Sequence, residues 1–556
     1  YLSGEHPSKR GVITVHTGRP GWDPSACQKG YFNIMPQDSY YRCRCEKCAP
    51  KFGTGVNYAT EFMWKFTVDI ANRLKAEGVP GKVTQMAYRP YRSVPKTVEI
   101  PDNVSVMVAE IGPWGQYNTA GQERDYKEIA AWCKKVAPNR IYLWNYCGKY
   151  GPANIADIPA PSHKAVALYY KSLNKLKIRG AFVESESDRY INNYLMYYIY
   201  GKLAWNNNVD TDALFAEHHE LMFGKAAKIM GSVFDDFEYL WLAKMVANQA
   251  ETERGPLISV PGENEMWKSI YSEKFIKSVQ ERFNEAEKLT AGDKLANERV
   301  KLFRREWLEP LVAARAKYIE QSDILSKFSF TLGKPFYLRP FSQIKETTDK
   351  TKVVETRVTV STGDDNLRIS FDCEEPDMKN IVASKRAKND PSIWQDSSVE
   401  VFINPNGDNT TFYQFILNAQ NSDSGTLNKL NGSTREKIQD MSAGIYTVIN
   451  KTPRGFRAAL SIPLKQLKNF DLSKAKFNFC RNRVLTGSKG YVNLYTWSPF
   501  IKRFNDLEGF GKCAVAAENS KNYVDSGDFY AHQRTRWIGK WFNEVILHPN
   551  QRVKRD

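Results

Sequence analysis

Three acids, Asp38, Glu110 and Glu184, close or follow apolar runs in the first third of this 556-residue chain. The runs are 30–38 (GYFNIMPQD), 104–114 (VSVMVAEIGPW) and 178–186 (IRGAFVESE). Two more runs, 82–91 (KVTQMAYRPY) and 140–146 (RIYLWNY), end on aromatics and an Asn. Acids are depleted inside strands, so three of them at run ends form a pattern. Two carboxyl groups facing one cleft can cleave a glycosidic bond, one protonating the leaving oxygen and the other acting at the anomeric carbon. The acid of such a pair needs a pKa lifted by burial or by a like-charged neighbour. The spacing does not say which carboxyl that is, and Glu186 shares the side of Glu184 on an extended chain. Tyr88, Tyr91, Trp114, Trp144 and Tyr146 sit at or just past the run ends, where flat rings could stack on sugar faces. Asn145 between two of them offers a hydrogen bond to substrate. Taken singly, each of these residues also fits ordinary packing or a surface ion pair.

Strand–helix–strand alternation is what would bring such residues together. In a (β/α)8 barrel the C-terminal strand ends form the active face. A helix is predicted over 58–77, with Phe62, Phe66, Ile70 and Leu74 as its apolar stripe, and another over 125–136 with Ile129, Trp132 and Val136. Gly78-Val79-Pro80-Gly81 stops the first. From 192 to 325 the pattern is nearly all amphipathic helix, including Phe275, Val279 and Phe283 and then Val300, Phe303, Trp307 and Leu311. From about 341 the period changes to two, as in Leu367, Ile369, Phe371 and Cys373 or Val399, Val401 and Ile403, with turn signals between. The expected fold is multidomain: a (β/α)8-type barrel over 1–190, a helical domain over 191–330, an antiparallel β-sandwich over 341–516 and a tail over 517–556. The segment 328–340, with Gly333, Pro335 and Pro340, reads as the boundary.

Hydrophobic residues make up 42% of the chain, enough for packed cores. No run approaches the ~20 apolar residues of a membrane span. Lys and Arg number 79 against 62 Asp and Glu, a net charge of +17 that favours acidic partners such as an anionic glycan. The charge is spread out, with no basic block and no nucleic-acid module, so nucleic acid is not an expected partner. Nine cysteines include Cys43, Cys45 and Cys48 in C-x-C-x-x-C, with Cys27 upstream. These four could hold a structural zinc or form two disulfides, and the spacing does not choose.

The order M-P-Q-D-S, C-R-C-E-K-C, A-Y-R-P-Y, P-D-N-V, L-W-N-Y, then F-V-E-S followed by Y-x-x-x-K-L-x-W, resembles the bacterial domain-of-unknown-function family 4838 over roughly 1–230. Part of that family is classified as glycoside hydrolase family 163. The resemblance implies a (β/α)8 barrel, endo-β-N-acetylglucosaminidase-like action and substrate assistance by the sugar's own acetamide, with no cofactor needed for catalysis. It matches Asp38 to the family's strand-end Asp and Glu184 to its late Glu. Two positions depart from the family pattern: Gln37-Asp38-Ser39 stands where Asn-Asp-Gly is usual, and Trp144-Asn145-Tyr146 where Trp-Asp-Tyr is usual. With about five strands visible, the first barrel strands are expected upstream of Tyr1.

A second stretch, S-I-W-Q-D-S-S-V-E-V-F-I-N-P, S-I-P, N-F-C-R-N-R and T-W-S-P…G-F-G-K, resembles family 9 carbohydrate-binding modules over about 341–516. That resemblance implies that Trp394 and Trp497 sandwich a sugar, with Glu400, and less directly Arg481 and Asn482, binding its hydroxyls. Sugar binding and a purely structural role both stay open for this domain. The chain as a whole reads as a secreted or periplasmic glycoside hydrolase acting on a glycan. The alternative is a glycan-binding protein built on a degenerate, non-catalytic barrel.

Overall fold

The protein is described by a computed structural model covering residues 1–14, 17–23, 26–36, 42–136, 138–148, 157–185, 190–252, 255–341, 353–431, 434–441, 445–487, 493–514 and 524–525. It divides into two compact units, one of Tyr1–Pro261 with Glu265–Arg315, the other of Gly262–Asn264 with Ala316–Asp556.

In the first unit five parallel strands lie side by side in chain order: β1 (Tyr31–Asn33), β2 (Lys82–Ala87), β3 (Val104–Glu110), β4 (Ile141–Gly148) and β5 (Gly180–Ser185). A short antiparallel strand, Cys27–Gln28, extends the β1 edge. Sequential parallel order with intervening helices is the local geometry of a barrel wall. The described residues make half of one, an open sheet rather than the closed eight-stranded cylinder expected. Helices cover one face of the sheet, and β3 is buried along nearly its whole length and is correspondingly apolar. On one face Val83, Val104, Val106, Val108, Ile141 and Leu143 pack against Trp64 of helix α1 (Thr60–Ala76) and Trp132 of helix α2 (Thr119–Lys135). The two indoles meet at 4.5 Å. The buried stripe of α1 is Met63, Trp64, Thr67 and Ala71, whereas Phe66 of the predicted stripe is exposed. Several apolar residues lie on two faces of this helix, and burial of the indole decides which face turns inward.

The helical section continues in the same unit through Arg315, interrupted by a hairpin of Gln249–Thr252 and Gly255–Ile258 that the helical periodicity hid. Its predicted stripes are core: Val279 and Phe283, then Val300, Phe303, Trp307 and Leu311, are buried.

The second unit is a β-sandwich. One sheet runs Phe336–Tyr337, Thr356–Gly363, Asn366–Glu374, Gly455–Pro463, Tyr446–Thr452. The other is centred on Ser398–Asn404, flanked by Thr411–Asn418 and Lys476–Arg483, all antiparallel. Alternation sends Val399, Val401 and Ile403 into the core against Ile369, Phe371 and Phe479. The segment read as a boundary belongs to the fold instead: Phe328–Thr331 is a strand, paired in parallel with Gly511–Ala514. Trp497, expected on the sugar, is 0% exposed. Its ring stacks on Phe328 at 4.4 Å, and a Cβ on Gly511 would lie 2.4 Å from it. It is a core residue because its position after Asn493–Thr496 carries the chain inward, where an indole offers the largest apolar filling.

Candidate functional site

Two places gather chemistry. The first is the C-terminal ends of β2, β4 and β5. Along β4, Tyr142, Trp144 and Tyr146 are half-buried, and Leu143, Asn145 and Cys147 between them are fully buried. A strand's side chains alternate between faces, so the three rings share the face away from the α1–α2 layer. Trp144 packs on Phe182 of β5 at 4.3 Å, and its indole N–H donates to Glu184 Oε2 at 2.8 Å. Burial, then the neighbouring Tyr88 and Glu184, push the Tyr146 phenol far above its ordinary pKa. Glu184, Trp144, Tyr146 and Tyr88 therefore converge.

Glu110 does not join them. It pairs in register with Asn145, on the helix-side face, and its side chain is fully buried. Arg92 Nη1 lies 3.5 Å from its carboxylate and Arg92 Nη2 4.0 Å from Asp125. Burial, with Asp125 next to it, raises the Glu110 pKa well above the usual range. A lifted carboxyl marks a candidate acid only where substrate can reach it, and this one lies in the packing layer. Asn145 faces the same layer, accepting from the Tyr170 hydroxyl at 2.6 Å. Tyr91 and Trp114 are core as well: the Tyr91 carbonyl accepts from Trp64 Nε1 at 3.0 Å, and Trp114 meets Trp241 edge-on at 5.2 Å. All four of these run-end residues are buried. Asp38 and Glu186 lie outside the described residues.

Cys43, Cys45 and Cys48 bring their sulfurs within 4.8 Å of one another. Cys27, expected as a fourth member, sits apart on the edge strand and is not in that group. All nine cysteines are free thiols, so the disulfide alternative is not what the structure contains.

The second place is a pocket of about 740 Å³ on the outer face of the sandwich. The central strand points Glu400 and Phe402 outward, its neighbours add Gln414, Ile416 and Asn482, and Thr426 and Arg435 close one side. Trp394, Phe341 and Phe504 also line it, the last two packed against an apolar cluster that includes Phe402. Trp394 is 46% exposed, whereas Glu400 at the floor is 3% exposed. Gln414 Nε2 donates to Glu400 Oε2 at 2.7 Å and Asn482 Nδ2 to Oε1 at 2.6 Å. These two amides hold the carboxylate in one orientation, yet burial outweighs them and raises its pKa. Arg435 is itself braced, donating from Nε to Asn428 Oδ1 at 2.8 Å. Arg481, one residue before Asn482, faces the opposite way into the core, donating to Thr356 Oγ1 at 2.8 Å and to the Glu374 carbonyl at 2.9 Å. Of the predicted sandwich residues, Trp394, Glu400 and Asn482 therefore share the pocket, and Trp497 and Arg481 do not. Gln414, Arg435 and Phe504 were not anticipated. The polar Gln414 inside the apolar run TFYQFILN was the one available signal.

Among the described residues no helix is long and apolar enough to cross a membrane. A search of curated proteins finds no match to the chain. Among solved structures, the chain is similar to a candidate carbohydrate-binding protein from Bacteroides uniformis ATCC 8492, with 17% identity over 32% of this chain and 85% of that one, at a TM-score of 0.26. It is also similar to a family 9 carbohydrate-binding module from Caldicellulosiruptor kristjanssonii in complex with cellotriose, with 16% identity over 36% of this chain and 97% of the module, at a TM-score of 0.25. The same organism's module in complex with glucose matches at 15% identity over 35% and 98%, with a TM-score of 0.23. At the level of family, residues 25–235 match the one described as Domain of unknown function (DUF4838).

Proposed function

We propose that this protein engages glycans and that the sandwich pocket holds one sugar unit. The observation that carries this reading is a half-exposed indole, Trp394, beside a buried, amide-braced carboxylate, Glu400, in one cavity of about 740 Å³. That size suits a small ligand. An indole face covers the C–H side of a pyranose, and a carboxylate accepts from two hydroxyls at once. Calorimetric titration of the full chain with mono- and oligosaccharides tests it. Trp394→Ala is expected to cost about 2 kcal/mol, roughly thirtyfold in affinity. No heat with any sugar, or equal heat from the variant, would remove the reading.

Glu400 adds a pH dependence. Its raised pKa means the carboxylate, the form that accepts sugar hydroxyls, is lost on acidification earlier than for an ordinary glutamate. Affinity should therefore rise with pH up to the raised value and level off above it. For stability the sign is opposite. Below the ordinary glutamate pKa the group is protonated, folded or not. Between the ordinary and raised values only the folded chain keeps the proton, so stability falls as pH rises through that window. Glu400→Gln should bind about tenfold more weakly at neutral pH and show neither pH step. A wild-type affinity that stays flat across the window would contradict this.

A second reading, hydrolysis of an N-acetylhexosamine-containing glycan, is favoured by one observation: Glu184 lies at a parallel strand end among Tyr88, Trp144 and Tyr146, bonded by the Trp144 indole. In it Glu184 is the acid and Asp38 the second carboxylate, orienting the sugar's acetamide. Glu110 has no part.

A further inference from the structure

The stretch 42–51 (RCRCEKCAPK) holds a group of side chains that neither glycan reading uses. We propose that Cys43, Cys45 and Cys48 bind one Zn²⁺ through three thiolates, with an exchangeable water as fourth ligand. The ion would brace the loop beside the strand-end aromatics.

The geometry comes from the backbone. The Cys45 carbonyl accepts from the amides of Cys48 at 3.0 Å and Ala49 at 2.9 Å. This turn returns Cys48 toward Cys45, and a 3-10 turn, Ala49–Lys51, follows directly. The three sulfurs lie within 4.8 Å of one another, with Cys43 and Cys45 at 3.4 Å. Thiolates around a tetrahedral zinc at about 2.3 Å stand roughly 3.8 Å apart, so little movement would seat the ion. Sulfur donors select thiophilic d¹⁰ ions over magnesium or calcium. Three thiolates and Zn²⁺ sum to one negative charge, which Arg42, Arg44, Lys47 and Lys51 in the same stretch offset. A disulfide would use two of the three sulfurs and strand the third.

The loop is coupled to the strand ends on its far side. Phe52 packs on Phe62 at 4.7 Å and on Tyr58 at 6.2 Å. That cluster includes Ala59, Met63, Tyr91 and Tyr88, the last of these a neighbour of Tyr146. Arg42, at the near end of the loop, lies over the Tyr58 ring at 4.8 Å. Fixing 43–48 thus fixes both approaches to the Tyr88 cluster.

The experiment uses the full chain, purified with reductant and without chelator. One zinc per chain is expected. Exchange for Co²⁺ should give sulfur-to-cobalt charge-transfer absorption in the near ultraviolet. Cys43→Ser, Cys45→Ser and Cys48→Ser should each lose that band, and Cys27→Ser and Cys133→Ser should keep it, with far-ultraviolet dichroism confirming that every variant is folded. Trypsin can cut after Arg42, Arg44, Lys47 and, if ordering is lost, across the whole loop. The zinc-loaded protein should be cut there about tenfold more slowly than the chelated one. The proposal is overturned if the purified chain holds no zinc and takes up no cobalt with thiolate absorption. It is equally overturned if the triple serine variant retains the metal, or if rapid alkylation finds two of these cysteines joined.

Discussion

Glu375→Ala is expected to destabilise the sandwich by about 3–5 kcal/mol, because it strands two buried guanidinium groups. The Glu375 side chain is fully buried, and those of Arg481 and Arg483 nearly so. Arg483 grips the carboxylate with two prongs, Nε to Oε2 at 2.7 Å and Nη2 to Oε1 at 2.8 Å. Arg481 Nη2 adds a bond to Oε2 at 3.3 Å, and its guanidinium lies over the Phe456 and Tyr495 rings at 5.5 and 5.8 Å. Removing the anion leaves both cations desolvated with their principal counter-charge gone. A surface counterpart gives the contrast. Asp372 bonds Arg357 at 2.6 Å and Arg457 at 2.6 Å, with the arginine side chains about half exposed. Solvent screens that trio, so Asp372→Ala should cost no more than about 1 kcal/mol. Calorimetry of the full chain should show one unfolding transition shifted down by roughly 10 °C for Glu375→Ala. A shift no larger than that of Asp372→Ala would show that the buried cluster contributes little.

The same alternation that hides Arg481 and Arg483 explains what the sequence made legible. Apolar runs at 82–91, 104–114, 140–146 and 178–186 located β2 through β5, most cleanly β3, which is buried almost throughout and so is apolar almost throughout. Period two located the sandwich strands because alternate residues differ in polarity: Val399, Val401 and Ile403 face the core while Ser398, Glu400 and Asn404 alternate with them. What a run end does not reveal is its face. Glu110 and Glu184 both close strands, but one residue of phase puts the first beneath the sheet with Arg92 and the second beside Trp144. Trp394 and Trp497 look equally suited to stacking on a sugar, and only the packing of Phe328 and Gly511 around the latter assigns it to the core. The pocket wall contributed by Arg435, on the strand Thr434–Asp440, and Phe504, in the loop between Asn493–Thr496 and Gly511–Ala514, comes from segments far apart in the chain, a juxtaposition that no local pattern encodes.

Under the hydrolytic reading, Glu184→Gln carries the largest expected effect on activity, a loss of about a hundredfold or more in cleavage rate. The amide keeps the size of the side chain and can still accept from the Trp144 indole at its oxygen, so the aromatic face should persist. It cannot deliver a proton to a leaving glycosidic oxygen. Trp144→Phe separates positioning from chemistry, since it removes the 2.8 Å bond to the carboxyl while keeping an aromatic ring beside Phe182. A smaller loss is expected there than from Glu184→Gln. Glu110→Gln supplies the control for burial. It replaces a carboxyl beneath the sheet, so any change should follow from stability and appear in the unfolding midpoint before it appears in the rate. The assay offers N-acetylhexosamine-containing glycans and follows the release of reducing ends. Cleavage that Glu184→Gln leaves intact would move the acid elsewhere. No cleavage by the wild type, together with sugar binding that Trp394→Ala abolishes, would leave the glycan-binding reading standing alone.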